Sequence, residues 1–583
     1  MTGRGRMHSY HSTARASITQ VVAAVCMLAA GDRTPTLPAQ QRPTDERVDR
    51  LFAEWDRPES PGCALGVIRD GRLVYGRGYG MANLDYDIPN SPQMVYYVGS
   101  VTKQFTAAAV ALLAIQGRLS LDDDIRKYVP EMPDYAARYG RPVTIRNLIH
   151  HTSGIRDMYV LMDLAGRRLE DVFPDEDALA LLARQRQLNF PPGSDYAYSN
   201  SGYWLLGKIV QRVTGRSLRE YADDQIFRPL GMTETHFHDD PGHVMKHRAM
   251  SYQPDGHGGF RISYLQNFDK IGAGGLYSTV EDLRKWDQNY YTHQVGGDAL
   301  QAMIHTRGVL TSGDTLSYAF GNEIGTYRGL RTVSHEGAMM GYRAHILRFP
   351  VQHFTVIETC NLGTISPGRI ARRIADIYLG DQMAPALAVE GKARATGVSA
   401  GDGPTPEELA ERSGTYSNAE TGEVWQIAVQ DGQLVATAAG TRLPLEALSA
   451  TRFRDAGGEG LEFAFERPSA GALYRLRLAR VGAPAELLER APVVAPAATA
   501  LVGLAGDYAS DELQVTYHIV AEGGRLVLRR PNAPAAPLAP VTPDVYQAGP
   551  IVLHVQRQAG RPSSFTVWVD RVRNIRFTRR QGP

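Results

Sequence analysis

A serine and a lysine stand three positions apart in the stretch VGSVTKQFTAAAVALL, residues 98–113. Positions i and i+3 of a helix share a face, so the Lys103 amine is expected within reach of the Ser100 hydroxyl. A serine attacks a carbonyl only when a neighbouring group takes its proton, and a lysine serves when burial or a second cation lowers its pKa. A helix N-terminus adds free N–H groups and a positive dipole end, suited to a developing oxyanion. Alone the spacing is weak, since Ser-x-x-Lys arises by chance about once or twice in a chain of this size, and a capping serine beside a solvated lysine looks the same. Two features sharpen it. Phe105, Ala108, Ala109, Leu112 and Leu113 continue as an apolar stripe that makes the helix a core element, and no other serine in the chain has lysine at +3.

A second polar group, Tyr198-Ser199-Asn200, immediately precedes an apolar helical pattern in SDYAYSNSGYWLLGKI. Ser199 or Asn200 can simply cap that helix. In the chemical reading Tyr198 exchanges protons with Ser100 and a leaving group, while the Asn200 amide positions Lys103 and a substrate carbonyl. A third group, His335-Glu336-Gly337, opens a strand-like run in which glycine lets a ligand backbone approach closely.

The elements that must position these groups run from residue 46 to about 385. CALGVIRDGRLVYGRGYG reads as a hairpin turning at Asp70-Gly71. Helical patterns follow at 100–116, 176–187 and 201–214, the last stopped by Gly215. Consecutive strands then run through RTVSHEGAMMGYRAHILRFPVQHFTVIETCNLG, and GRIARRIADIYLG closes the segment as a helix. Strands from both ends with helices between them predict an α/β (α+β) sandwich. Residues 386–405 read as an Ala-, Gly- and Pro-rich linker. Beyond it SGTY at 413 and AGDY at 505 align at an offset of 92, which also aligns Trp425 with Tyr517 and GQLV with GRLV. Each copy is built of short alternating strands, so 406–490 and 498–583 are predicted to be two small antiparallel β domains, barrel-like and repeated.

Bulk properties narrow the partner. The 583 residues carry 63 Lys plus Arg against 62 Asp plus Glu, a formal charge of +1, so nothing global steers the chain toward nucleic acid or anionic lipid. A small molecule is the expected partner. Arg4, Arg6 and Arg15 precede a short apolar run, ITQVVAAVCMLAA, with small residues after it, which is a signal peptide's layout over 1–39 with cleavage after Gly31 or Ala39. The run is short for a membrane span. Export to a bacterial periplasm or medium is the resulting expectation. Cys26 follows Val25 rather than a small residue, against lipidation. Signal removal leaves Cys63 and Cys360, too few for a disulfide framework, and two buried free thiols are favoured over a single bridge.

The combination of these motifs resembles the serine β-lactamase and penicillin-binding-protein superfamily, in the branch of class C β-lactamases, DD-carboxypeptidases, D-aminopeptidases and related esterases. Supporting stretches are IRNLIHHTSGIRD at 145, YSNSGYWLLGKIVQRVTGRSLREYADDQIFRPLGMTETHF at 198 and GAGGLYSTVEDLRKW at 272. The resemblance implies Ser100 as the acylated nucleophile, Lys103 as its proton-relay partner, Tyr198 as general base and Asn200 as an anchor for substrate and Lys103. It places an oxyanion hole at the backbone N–H groups of Ser100 and Ala338, beside His335 and Gly337. No cofactor and no metal are implied; His150, His151, His236 and His238 are read as loop and surface histidines rather than ligands.

Departures from the family pattern bear on the substrate. Many β-lactamases have Lys-Thr-Gly or Lys-Ser-Gly where this chain has His335-Glu336-Gly337, which favours peptidase or esterase chemistry over β-lactam hydrolysis. Glu336, if it faces the cleft, repels a carboxylate and favours an amine; Arg343 restores a carboxylate site if its strand returns it there. A catalytic domain followed by two β domains looks like the layout of D-aminopeptidases, and the Pro-rich RRPNAPAAPLAPVTP at 529 is long enough to limit the cleft. An inter-strand loop reads equally well. The alternative from another class is a catalytically idle binder of cell-wall peptides or β-lactams, for which a complete Ser100, Lys103, Tyr198 and Asn200 set is unnecessary.

Overall fold

The computed structural model describes residues 43–385, 404–491 and 503–580, apart from 265–266, 268, 419–422, 439–440, 456–460, 470 and 481–484. The expected signal peptide with Cys26, and residues 386–403 of the expected linker, lie outside the described residues. Near the N-terminal end α1 (Pro43–Phe52) leads into β1 (Cys63–Arg69) and β2 (Arg72–Tyr79). Asp70 and Gly71 join the strands with φ of 49° and 78°, the positive pair that a two-residue hairpin loop requires. Four later strands, β3 (Glu323–Tyr327), β4 (Leu330–Met339), β5 (Tyr342–Phe349) and β6 (Phe354–Cys360), form an antiparallel meander. The hairpin adds to its far edge, giving the order β3-β4-β5-β6-β1-β2.

Both faces of this sheet are covered, and β1 shows it residue by residue. Ala64 and Ile68 join the core beneath the helices, whereas Cys63, Leu65 and Val67 join a second core with Val48 and Phe52 of α1 and with Ile370 and Ile374 of α5 (Pro367–Leu379). Side chains alternate across a strand, so a central strand clad on both sides reads as a continuous apolar run. The helical layer between the two strand sets contains α2 (Thr102–Ile115), α3 (Met158–Leu164) and α4 (Asn200–Thr214). Every α2 residue from Thr102 to Leu113 is buried. The helix is therefore enclosed all round, not along one stripe.

The expectation of two free thiols is overturned. Cys63 lies directly opposite Cys360 in the β1–β6 register, and the two are joined in a disulfide. Their separation of 297 residues hides in the sequence what strand pairing makes adjacent. Cross-linking across so long a loop restricts the unfolded chain, so the double substitution of both cysteines by alanine is expected to lower unfolding free energy by about 2–5 kcal/mol. Urea denaturation of that variant beside the parent measures the loss.

The two C-terminal copies have the β architecture the repeat predicts. The first closes as an eight-stranded antiparallel barrel from Gly414–Ser417 to Glu486–Arg490. The second is a nine-stranded antiparallel sheet that ends in β7 (Arg561–Val569) and β8 (Val572–Arg579). The offset of 92 holds in space: Tyr416 stands opposite Trp425, and Tyr508 opposite Tyr517. Both leading tyrosines donate a hydroxyl hydrogen bond four residues back, Tyr416 to the Arg412 carbonyl at 2.8 Å and Tyr508 to the Leu504 carbonyl at 3.0 Å. The second sheet shares one continuous apolar core with the helical layer. The barrel instead meets that sheet through a small patch, Val424 and Ala491 against Val541, Val545, Val552 and Trp568.

Candidate active site

Ser100 lies in a short 3-10 turn, Gly99–Val101, that runs directly into α2. Gly99 has φ of 54°, and a Cβ there would stand 2.4 Å from the Ala338 nitrogen. A Cβ on Gly337 would stand 2.0 Å from the Val98 carbonyl oxygen. Two glycines therefore let β4 lie against the turn that carries Ser100. β3 pairs with β4 only as far as Ser334, so among the described residues the stretch from His335 to Met339 has no strand partner on that side and borders the cleft.

Lys103 occupies the first turn of α2 with its amine enclosed. It donates to Ser100 Oγ at 3.1 Å, to Asn200 Oδ1 at 2.9 Å and to the Ala273 carbonyl at 2.7 Å. The rings of Tyr198 and Tyr203 lie 4.7 and 5.5 Å from Nζ. Burial drives the Lys103 pKa well below the ordinary lysine value; Asp157 pulls it upward and Arg571 pushes it further down. Desolvation penalises the charged form of either sign. It therefore raises Tyr198, whose hydroxyl is hydrogen-bonded to Ser100; that bond and Arg571 oppose the rise, while Glu323 and Asp157 add to it. Burial thus favours the uncharged form of each, an amine beside a phenol.

Ser199 caps α4, its side chain accepting from the Gly202 N–H. This frees Asn200 to face inward. Asp157, the N-cap of α3, fixes Asn200 by accepting from its backbone N–H at 2.8 Å and its amide at 2.9 Å. His335 is buried, its Nε2 bonded to the Tyr318 hydroxyl at 2.9 Å and its Nδ1 to the Glu336 carbonyl at 2.6 Å. Burial and the neighbouring Lys103 lower its pKa to about 3, so it stays neutral.

Ser100, Lys103, Tyr198, Asn200, His335, Gly337 and Ala338 are thus brought to one cleft. Glu336 and Arg343 are not. Glu336 points to the opposite face of β4, where a Cβ on Gly368 of α5 would meet its Oε1. Arg343 stands opposite Ala338 on that same face and donates to the carbonyls of Met340 and Tyr342. Neither supplies charge to the face that holds His335. The four histidines are not surface groups either: His150, His151 and His238 are buried and His236 is partly so. His151 Nδ1 accepts from the Ser199 N–H at 3.1 Å. Among the described residues no group of three or more His, Cys, Asp or Glu is arranged to hold a metal.

The family model described as Beta-lactamase matches residues 48–379, more than half of the chain. The chain belongs to the β-lactamase family. It is 28% identical over 301 residues to a D-aminopeptidase of Gluconobacter oxydans (strain 621H), covering 52% of this chain and 56% of that protein. The chain thus spans little more than half the length of that relative. A D-aminopeptidase of Brucella melitensis biotype 2 (strain ATCC 23457) is 26% identical over 515 residues, covering 87% of this chain and 90% of its own. Among solved structures, the octameric penicillin-binding protein homologue from Pyrococcus abyssi superposes with a TM-score of 0.53 at 25% identity, covering 76% of this chain and 99% of its own.

Two residues that the structure brings to this candidate site were not among those the sequence pointed to. Asp157 closes the stretch IRNLIHHTSGIRD, which the resemblance had already singled out, but nothing local gave it a role. Arg571 comes from the turn between β7 and β8 and lies 3.3 Å from Asp157. The Pro-rich segment at 529 does dock on the catalytic domain, Arg530 pairing with Asp163 at 2.6 Å and Asn532 donating to the Gly166 carbonyl at 2.7 Å. The segment that reaches the site is the turn at 570–571.

Proposed function

We propose that this protein is a serine hydrolase that works through an acyl-serine on small peptide, amide or ester substrates, D-aminopeptidase- or DD-peptidase-like in preference to β-lactamase-like. The observation that carries this reading is the enclosed Lys103 amine 3.1 Å from Ser100 Oγ, with its pKa pushed down. As Ser100 Oγ bonds to the substrate carbonyl carbon, its proton passes to Lys103 and the carbonyl electrons move onto oxygen. The backbone N–H groups of Ser100 and Ala338 receive that oxyanion. Collapse expels the amine or alkoxide, which takes a proton through the Tyr198 phenol from Lys103. Water then attacks the acyl-serine by the same route in reverse, releasing the acid and restoring Ser100. In this proposal Lys103 is the base and Tyr198 the shuttle, because a raised phenol pKa keeps Tyr198 protonated at neutral pH.

The preference for D-amides is supported by the D-aminopeptidase relative aligned over most of the chain and by His335 standing where many β-lactamases carry a lysine. A small substrate is supported by the turn at 570–571, which stands over Tyr198. The arginines and short apolar run of the N-terminal segment support export to the bacterial envelope. The complete set of Ser100, Lys103, Tyr198 and Asn200 favours an enzyme over an idle binder.

The test exposes the protein, with Ser100→Ala alongside, to D-alanine p-nitroanilide, its L-enantiomer, p-nitrophenyl acetate and benzylpenicillin, following chromophore release and intact mass. Ser100-dependent turnover of the D-anilide is expected to exceed that of the L-anilide by more than about tenfold. Equal turnover of both enantiomers would remove the D-preference, and absence of any Ser100-dependent adduct or turnover would remove the hydrolase reading.

A further inference from the structure

Among the described residues of the second β domain, the turn between β7 and β8 is the part that touches the catalytic network, and it brings a cation. The Arg571 guanidinium lies 3.3 Å from Asp157 Oδ2, is paired with Asp570 at 2.8 Å, and stands 5.9 Å from the Tyr198 ring centroid. Its backbone is fixed as firmly: the Arg571 carbonyl accepts from Asn189 Nδ2 at 2.8 Å and from the Asp157 N–H at 3.3 Å, and the Arg573 N–H donates to Asn189 Oδ1 at 2.8 Å. A neighbouring arginine, Arg156, is wholly buried between the domains, donating to the carbonyls of Arg573 and Asn574 and pairing with Glu512 at 3.0 Å. The turn is therefore held in place independently of its own guanidinium.

Asp157 is the reason a cation is needed there. It is fully buried and orients Asn200 through two hydrogen bonds, and Asn200 in turn holds the Lys103 amine. An uncompensated carboxylate this close to an enclosed amine favours the ammonium. The other groups facing Lys103 do not oppose that pull. Tyr198 and Tyr203 of the α4 region are protonated phenols, and His335 of β4 and His151 are held neutral by burial. Ser100 and the Ala273 carbonyl are uncharged partners. Glu323, at the start of β3, raises Tyr198 when ionised, and burial and then Glu336 push its own pKa up to about 7, so its negative potential grows as pH rises through neutrality. Arg571 is the positive charge in this set.

We propose that Arg571 is a positioning residue for acyl transfer: carried by the second β domain, it neutralises the Asp157 carboxylate, so that Asp157 can orient Asn200 without drawing a proton onto Lys103. The inference rests on the acyl-serine reading above. It makes the β domain part of the active site's charge balance, and links domain docking to the readiness of the base.

The test is the pH dependence of Ser100-dependent p-nitrophenolate release from p-nitrophenyl acetate by the full chain. The acidic limb of the profile reports Lys103 losing its proton. Arg571→Gln is expected to move that limb upward by about one unit or more, a tenfold loss of rate at a pH below the limb and recovery above it. Arg571→Lys is expected to keep the parent profile. Asp157→Asn is expected to move the limb the opposite way, and the double variant Arg571→Gln/Asp157→Asn to return it toward the parent position, which a purely structural role for Arg571 does not predict. A uniform loss of rate in Arg571→Gln with an unmoved limb overturns the inference, as does an unmoved limb in Asp157→Asn. Absence of Ser100-dependent release from the parent protein overturns the acyl-serine reading itself, whereas an active parent with unshifted variants overturns the role of Arg571 alone.

Discussion

Replacing Ser100 with alanine is expected to lower kcat/KM by about 10⁴-fold or more, with little change in melting temperature. The hydroxyl stands at the cleft edge, partly exposed, and its loss removes no packed volume, so the stability change should stay within about 0.5 kcal/mol. Steady-state kinetics beside a thermal scan separates the two quantities; a large drop in melting temperature would count against the assignment. Lys103→Met should be as inactive but differ in its stability profile. A lysine whose folded pKa lies below its unfolded value, about 10.4, carries its full destabilising penalty at pH values below both, because the folded state must then bury the charge. That penalty fades as pH rises from the folded pKa toward the unfolded one, since the unfolded chain binds more protons across that window. Parent stability therefore rises with pH there, and Lys103→Met should flatten the rise.

The same contrast between local and long-range information explains what the sequence made legible. Ser100-Lys103 and Tyr198-Asn200 each sit at the N-terminus of an apolar helix, where spacing along one element decides which side chains share a face. His335 and Gly337 share a strand face by its period of two. That rule also places Glu336 on the other face, so the ambiguity about its charge was resolvable from alternation alone once His335 was taken as inward. The Asp70-Gly71 hairpin and the Gly215 stop were readable because turn chemistry is local. Cys63 and Cys360 were misread because their pairing depends on β1 joining the far edge of a meander nearly 300 residues later. Arg571 was invisible for a similar reason: an arginine at a hairpin turn is ordinary, and only the docking of the second β sheet makes it a neighbour of Asp157.

Removing the second β domain, by ending the chain at residue 497, is expected to unfold or severely destabilise the catalytic domain rather than yield a smaller working enzyme. Leu161 and Leu164 of α3 lie in one apolar core with Leu504, Tyr517, Phe565 and Phe577 of that sheet, and the Tyr517 hydroxyl donates to the Leu164 carbonyl at 2.7 Å. Truncation exposes this face and strips the buried Arg156 and Asp157 of their partners Glu512 and Arg571, losses that cost up to about 3–5 kcal/mol for a single broken buried pair. On a domain of this size that is a fall in melting temperature on the order of 10 °C, with Ser100 acylation lost alongside. The barrel supplies the control. Phe463 is wholly buried in its core, and Phe463→Asp should unfold the barrel by burying an unpaired charge, yet leave Ser100-dependent turnover near the parent level, because the apolar contact between the barrel and the second sheet, among the described residues, is the small patch around Val424 and Trp568. Limited proteolysis with an activity assay on both variants distinguishes the two cases. If the truncated chain kept parent activity and stability, the second β domain would be an appendage. If Phe463→Asp abolished turnover while the second sheet stayed folded, the barrel would have to act on the site through that patch.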